Sequence, residues 1–410
     1  MIPERGLGSS ELPVLPCPSQ KLQKVMIIAG EASGDLHGAR LVQAMRQRQP
    51  GLIFCGMGSR ELVAAGVEVL FDASRIAVVG LVEVLTHFSD ILTAMQILSK
   101  RMREDPPDLL ILIDFPDFNL KLAKKAKKLG IPIFYYISPQ VWAWRTGRVK
   151  TIQRLVDTMA VILPFEEAFF RSRGVKAHYV GHPLLDSVKV THNREAFCQR
   201  HGINPSHTLV GLLPGSRHKE IASLLPDFLA TARRLPGKYE KQFVFLLPVA
   251  ATISEEDLWK NGLENYAAEI DIHLIREGRY DMMAACDAVV AASGTVTLEL
   301  AILGIPMVVV YRVSPHTYFI GRLLIRHMQF FSLVNLIAER GVVPELLQDE
   351  VTPGNIETEL VRLLFDKKAS REVKQGLTEV RVKLGAPGAS AHAADLACKL
   401  LDRIKDRGRN

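Results

Sequence analysis

From Lys24 onward, short apolar runs alternate with longer amphipathic stretches. VMIIAG (25–30), LIFCGM (52–57), DLLILID (108–114), IPIFYYIS (131–138), TMAVILP (158–164) and AHYVG (177–181) read as strands. Several are apolar on both faces, as central strands of a parallel sheet are. The stretches between them, beginning with GDLHGARLVQAMRQR, read as helices, as βαβ crossovers require. A second series follows: TLVGLLPG (208–215), FVFLLP (243–248), IDIHLI (270–275), DAVVAAS (287–293) and IPMVVVY (305–311). Residues 182–207 hold no such run and contain two prolines, so the domain boundary is expected there. Residues 353–404 read as wholly helical. The pattern predicts an α/β protein of two Rossmann-like, doubly wound domains facing a cleft. Ligands of such sheets bind at the carboxyl ends of the strands.

Length and composition narrow this picture. A chain of 410 residues suits two domains, and 48% apolar with 23% charged residues is ordinary for a folded protein. Lys plus Arg (51) exceeds Asp plus Glu (44), a net charge of +7. That excess favours anionic partners without choosing among nucleotide, nucleic acid and lipid surface. No uncharged apolar run has the length of a spanning helix; the longest candidate, 292–311, is broken by Gly294, Glu299, Gly304 and Pro306. The five cysteines are scattered without a CxxC, which points to a reducing compartment and away from a zinc cluster. Residues 1–20 carry four prolines and lack the basic start and apolar core of a secretory signal. They read as a disordered extension on a cytoplasmic protein.

Several constellations carry candidate chemistry. GEASGD (30–35) follows the first strand and opens the first helix. Gly30, Ser33 and Gly34 suit a close backbone approach to a ligand, or simply a tight turn with Asp35 near its cap. IDFPDFN (113–119) puts Asp114 at the carboxyl end of an apolar strand and Asp117 beyond a proline. A half-buried carboxylate there has its pKa pushed upward and can serve as a general base; strand-end geometry ranks Asp114 above Asp117. SPQVWAWR (138–145) sets Trp142 and Trp144 beside Arg145, suited to a sugar phosphate or to core packing followed by a basic helix.

In the second half, PGSRHKE (214–220) places Gly215, Ser216 and Arg217 at a helix start. A basic first turn opposes the helix dipole unless an anion sits there, so a diphosphate is favoured. SGTVTLE (293–299) combines Gly294 and Thr295 at a second helix start with Glu299 one turn on. That carboxylate is placed for ribose hydroxyls, or for capping. The segment 76–103 is apolar over much of a helical surface and ends in Lys100, Arg101 and Arg103. It fits a membrane interface or a packed helix equally. His182 and the other histidines lack metal-ligand spacing and read as structural. No nucleic-acid signature appears, and aromatics are only 7%.

Taken in order, GEASGD, VVGLVEVL (78–85), IDFPDFN, SPQVWAWR, LPFE (163–166), GHPLLD (181–186), LPGSR (213–217), SGTVTLE, SLVNLIA (332–338) and PELLQ (344–348) resemble lipid-A-disaccharide synthase. The resemblance implies a GT-B glycosyltransferase without metal or other cofactor. It implies transfer of 2,3-diacylglucosamine from UDP to the 6-hydroxyl of 2,3-diacylglucosamine 1-phosphate (lipid X), giving a β-1,6 disaccharide and UDP with inversion. Asp114 is then the base. Gly215, Ser216, Arg217, Gly294, Thr295 and Glu299 hold the nucleotide, with Asn335 and Gln348 bordering it. Gly30, Ser33, Gly34, Trp142 and Arg145 line the acceptor side. The implied division is a tail (1–23), an acceptor domain (24–187), a UDP-sugar domain (188–385) and a C-terminal helix (386–410) packing back on the first domain. The implied setting is peripheral, on the cytoplasmic face of the inner membrane, with no nucleic acid and with a second copy of the chain as a candidate partner. A dinucleotide oxidoreductase would need a glycine fingerprint that GEASGD lacks. A UDP-sugar epimerase shares the fold and remains the nearer rival.

Overall fold

The computed structural model describes residues 22–76, 88–144, 146–250, 252–313 and 329–407. Most of the N-terminal tail, part of the 76–103 segment and Arg145 therefore lie outside the described residues.

The first sheet holds seven parallel strands: β1 (Lys24–Ala29), β2 (Ile53–Gly58), β3 (Glu68–Asp72), β4 (Leu109–Ile113), β5 (Ile133–Tyr136), β6 (Thr158–Val161) and β7 (Ala177–Tyr179), in the order β3-β2-β1-β4-β5-β6-β7. The second holds β8 (Thr208–Leu213), β9 (Phe243–Pro248), β10 (Ile272–Ile275), β11 (Ala288–Ala292), β12 (Met307–Tyr311) and β13 (Glu345–Leu347), again parallel, in the order β10-β9-β8-β11-β12-β13. Each sheet is doubly wound: the chain fills one side, then returns to the middle and fills the other. The fold is α/β with two Rossmann-like domains. Every residue of β4 and β11 is buried, which is why these strands read as unbroken apolar runs. The two strands that the apolar pattern does not predict, β3 and β13, are short edge strands, the first of mixed burial and the second half-buried throughout. They have no continuous apolar face to reveal them.

The winding reverses between β1 and β4 in the first sheet and between β8 and β11 in the second. At each reversal the following helices go to opposite faces, leaving a crevice beyond the strand ends. Ala29 pairs in register with Ile113, and Leu213 with Ala291. The loops at 30–34 and 114–115 are thus neighbours, as are those at 214–217 and 293–294.

The halves are joined by packing and by pinned chain. Leu163 and Leu184 belong to the second domain's apolar core, and Trp142 and Phe165 pack against it. The last helix, Ala389–Arg407, lies on helix Ala32–Arg48, with Ala393, Ala394, Ala397 and Leu401 buried among first-domain residues. His182 is buried, and its Nδ1 accepts from the Leu184 amide at 3.2 Å. Burial and the neighbouring His37 lower its pKa to about 4, so it stays neutral.

Asp281 fixes the linker that enters the second domain. It accepts from the amide and hydroxyl of Thr191 at 2.7 and 2.6 Å, and from the amide and Nδ1 of His192 at 3.2 and 2.8 Å. Burial alone would raise this carboxyl; the hydrogen bonds from Thr191 and His192 outweigh it and hold the pKa at about 2. A depressed carboxyl stabilises the fold above its unfolded pKa and loses that contribution as pH falls through the folded value. Asp281→Asn is therefore expected to cost about 2 kcal/mol at pH 7 and much less near pH 2. Urea denaturation at both values checks this.

Candidate functional site

The first crevice is built around an unusual turn. After β4, Asp114 and Phe115 both take left-handed backbone conformations, each with φ of 42°. Non-glycine residues rarely do so, at about 1–3 kcal/mol each. Three contacts hold the turn. Asn119 Nδ2 donates to the carbonyls of Ile113 (3.1 Å) and Asp114 (2.7 Å), and the Tyr135 hydroxyl donates to the Asp114 carbonyl at 2.5 Å. The Phe115 ring lies flat against Gly30, where any Cβ would come within 2.5 Å of ring carbons. The opening glycine of GEASGD is therefore required by its neighbour in space.

This turn carries the Asp114 carboxyl into a half-buried position. Burial first, and the charge of Glu31 second, raise its pKa to about 6; the Phe115 amide opposes them. Glu31, Ala32 and Ser33 are exposed at the start of the 32–48 helix, and Gly34 is buried against Ile113. Asp35 turns inward and accepts from the Ser59 and Glu61 amides at 2.7 and 2.8 Å, tying this loop to the one after β2. Asp117 is exposed and ion-paired to Arg148. Trp142 is half-buried: its Nε1 donates to Glu166 Oε1 at 3.0 Å, and its ring meets Phe165 edge-on at 4.9 Å.

Glu166 is a feature that sequence reasoning passed over. It is 1% exposed and accepts from Ser138 Oγ (2.5 Å), Trp142 Nε1 and the Leu163 amide (3.1 Å). Burial raises its pKa to about 7 despite those donors. Its position inside LPFE, joined to SPQVW, was the available signal.

The second crevice holds two helix starts side by side. Gly215 has φ of 117°, and a Cβ there would meet Glu220 within 2.2 Å. Glu220 reaches back to the Ser216 amide (3.0 Å) and to Arg217 Nη1 (2.9 Å), while Thr252 Oγ1 holds the Ser216 carbonyl at 2.6 Å. Arg217 is ion-paired to Glu220 yet stays 64% exposed, so its guanidinium remains within reach of a solvent-borne anion. Gly294 is extended and exposed, with nothing within 4 Å of its Cβ position, and Thr295 begins helix Thr295–Leu303. Glu299 is 5% exposed on that helix. Its Oε1 accepts from Arg279 Nη2 at 2.7 Å and from the Tyr280 hydroxyl at 3.1 Å, partners absent from the sequence reading. Tyr311, at the end of β12, packs at a tilt against Phe331, with ring centroids 5.8 Å apart and planes 33° apart.

Two expected nucleotide residues turn inward. Asn335 is 1% exposed. Its Nδ2 donates to the Val343 carbonyl and Glu345 Oε1, and its Oδ1 accepts from the Val342 and Val343 amides, all within 3.0 Å. That amide is saturated by the protein, so it shapes the wall of the site and does not reach into it. Gln348, at φ of 54°, exchanges hydrogen bonds of 2.8 and 3.0 Å with the Val313 backbone and pins the chain leaving β12. Among the described residues no cluster of three or more metal-ligating side chains occurs, and no helix is long and apolar enough to cross a membrane.

The raised pKa of Asp114 has a sign that stability measurements read directly. Its charged form is disfavoured by folding, so stability declines as pH rises from about 4 to 6 and then levels. Asp114→Asn is expected to stabilise the protein by about 2 kcal/mol at pH 8 and by little at pH 4. Asn119→Ala is expected to destabilise it by about 2 kcal/mol at both, because it unstraps the turn. Chemical denaturation of the two variants at the two pH values separates these outcomes.

Residues 25–398 match the family model described as lipid-A-disaccharide synthetase. The lipid-A-disaccharide synthase of Geobacter metallireducens is 47% identical over 381 residues, covering 93% of this chain and 98% of the relative. That of Nitrosococcus oceani is 49% identical over 378 residues, covering 92% and 96%. Among solved structures, MurG of Acinetobacter baumannii aligns with a TM-score of 0.57 at 16% identity, over 92% of this chain and 99% of its own. The UDP-GlcNAc 2-epimerase of Neisseria meningitidis, bound to UDP-GlcNAc, aligns with a TM-score of 0.60 at 12% identity, over 93% and 100%. At that identity the structures speak for the shared GT-B architecture alone. The sequence relatives decide between transferase and epimerase: the chain belongs to the lipid-A-disaccharide synthase family, glycosyltransferases of lipid A biosynthesis.

Proposed function

We propose that the protein condenses UDP-2,3-diacylglucosamine with 2,3-diacylglucosamine 1-phosphate to form the β-1,6-linked disaccharide 1-phosphate and UDP. The observation that carries this reading is the pairing of two crevices. One presents a carboxyl with a pKa of about 6, and the other presents two helix starts with an exposed arginine. In this reading residues 24–187 take the acceptor and residues 188–385 the nucleotide sugar.

Asp114 accepts the proton of the acceptor 6-hydroxyl as its oxygen attacks C1 of the donor sugar. The C1–O bond to the diphosphate breaks with its electron pair leaving on UDP, and a single displacement inverts C1. Arg217 and the amides near Gly215, Ser216, Gly294 and Thr295 stabilise the charge growing on the leaving phosphate, more in the transition state than before it. Glu299 takes the ribose hydroxyls. Burial, with the charge of Glu31 second, keeps Asp114 basic enough to receive a proton near neutrality. Gly30, Ser33 and Gly34 border the acceptor. Trp142, held by Glu166, supports that side from behind.

Docking on the anionic cytoplasmic surface of the inner membrane follows from acyl-chain substrates. Helix Phe88–Glu104 exposes Leu92 and Ile97, and a groove beside it is lined by Lys100, Arg103, Lys125, Lys128 and Leu129. An apolar ledge with a cationic rim suits anionic headgroups.

The deciding assay supplies the two substrates separately and together. UDP release only with both, and a β-1,6 product, is expected; release from the donor alone would reject the transferase reading. Asp114→Asn is expected to keep UDP affinity and lose turnover by about a thousandfold or more. In the wild type, kcat/KM is expected to fall about tenfold per pH unit below pH 6, since the base must be ionised. A profile flat through that range contradicts the role. Arg217→Ala is expected to weaken UDP about tenfold by calorimetry.

A further inference from the structure

Glu299 is buried, yet only one of its oxygens is occupied by described residues. Oε1 accepts from Arg279 Nη2 (2.7 Å) and from the Tyr280 hydroxyl (3.1 Å). Arg279 Nη2 also reaches the Tyr280 hydroxyl at 2.7 Å, and its guanidinium lies over the Tyr280 ring, 4.7 Å from the centroid. Cation, phenol and carboxylate therefore form a closed triangle about one oxygen. No described residue donates to Oε2.

The triangle is held from outside. Arg279 and Tyr280 open the short helix Arg279–Ala285 after Gly278, whose φ of 68° makes the turn into it. Two residues on, Asp281 anchors that helix to Thr191 and His192 of the linker between the domains. Glu299 rides on a separate helix, Thr295–Leu303. Its rotamer is thus set by a neighbouring element that is itself clamped.

We propose that Arg279 and Tyr280 are positioning residues that lock Glu299 through Oε1 and so dedicate Oε2 to the ribose hydroxyls of the uridine nucleotide. This rests on the reading of Glu299 as the ribose contact. A carboxylate free to rotate gives each oxygen to solvent or ligand in turn. A carboxylate fixed by a guanidinium and a phenol presents one acceptor in one direction, and a hydroxyl meeting it forms a charge-assisted bond. Selectivity for a ribose over a deoxygenated sugar then depends on Arg279 and Tyr280, although neither touches the sugar.

Calorimetric titration of the full chain with UDP and with 2′,3′-dideoxy-UDP tests this. The wild type is expected to prefer UDP by about tenfold or more. In Arg279→Ala that preference is expected to shrink to about twofold, with affinity for the dideoxy compound nearly unchanged. Tyr280→Phe, which removes a single hydroxyl, is expected to lose part of the preference, and Arg279→Lys to recover part of what Ala loses. If Arg279→Ala and Tyr280→Phe weaken both ligands equally and keep the ratio, the inference is overturned, because the pair then acts on the phosphates or on the fold. Unchanged binding of both ligands overturns it as well. Glu299→Gln separates the two layers. A collapsed ratio there, with the ratio intact in the other variants, sinks this inference alone. A wild-type ratio in Glu299→Gln sinks the ribose reading beneath it.

Discussion

The site depends on a strained turn. At the reversal of the first sheet, two successive non-glycine residues sit in the left-handed region, and this conformation lifts the Asp114 carboxyl out of β4 into the crevice. A relaxed strand–helix connection would carry the carboxyl elsewhere. The turn persists because its surroundings over-determine it: two donors from Asn119, one from Tyr135, and a phenylalanine ring that only a glycine at position 30 can accommodate. The strain of about 1–3 kcal/mol per residue is offset by buried hydrogen bonds and ring packing. The same enclosure that holds the backbone desolvates the carboxyl, and desolvation gives Asp114 its raised pKa. Geometry and basicity have one cause.

The second domain solves a different electrostatic problem on the same topology. Its crevice collects partial positive charge from two helix starts and full charge from Arg217, whose neighbours Ser216 and Gly215 are shaped by Glu220. Acidic groups there are assigned to partners: Glu220 to the 214–217 turn, Glu299 to Arg279 and Tyr280, and Glu345 to Asn335 and the Phe331 and Ser332 amides. Arg217 remains an exposed cation of this crevice, 64% exposed beside Glu220. In the proposed reaction, one half retains a proton acceptor and the other receives a departing anion. The linker clamp at Asp281 and the returning C-terminal helix tie the halves together.

Much of this was legible in the chain. Buried parallel strands announce themselves as apolar runs, so all the central strands were readable, and only the edge strands β3 and β13 escaped. The strand-end positions of Asp114, Gly215 and Gly294 follow from the same pattern. What sequence could not supply is side-chain direction. Asn335 and Gln348 stand in motifs beside the cleft, yet their amides serve the backbone. Asn119, Tyr135 and Glu31 act on Asp114 through space, from three different elements, and no spacing rule links them. Arg279 and Tyr280 lie about 20 residues before Glu299, on another helix, with no periodicity connecting them. Glu166 hides as an ordinary first-turn carboxylate until its burial is seen.

The proposed reaction depends on one spatial relation, between a base at the first reversal and a nucleotide at the second. A crystal structure with UDP bound tests it most directly. The prediction is a diphosphate on the amides near Gly215 and Gly294 with Arg217 turned toward it, a ribose against Glu299 Oε2, and the Asp114 carboxyl facing the terminal phosphate across open space. UDP seated elsewhere, or an Asp114 carboxyl sealed off from it by protein, would contradict the account.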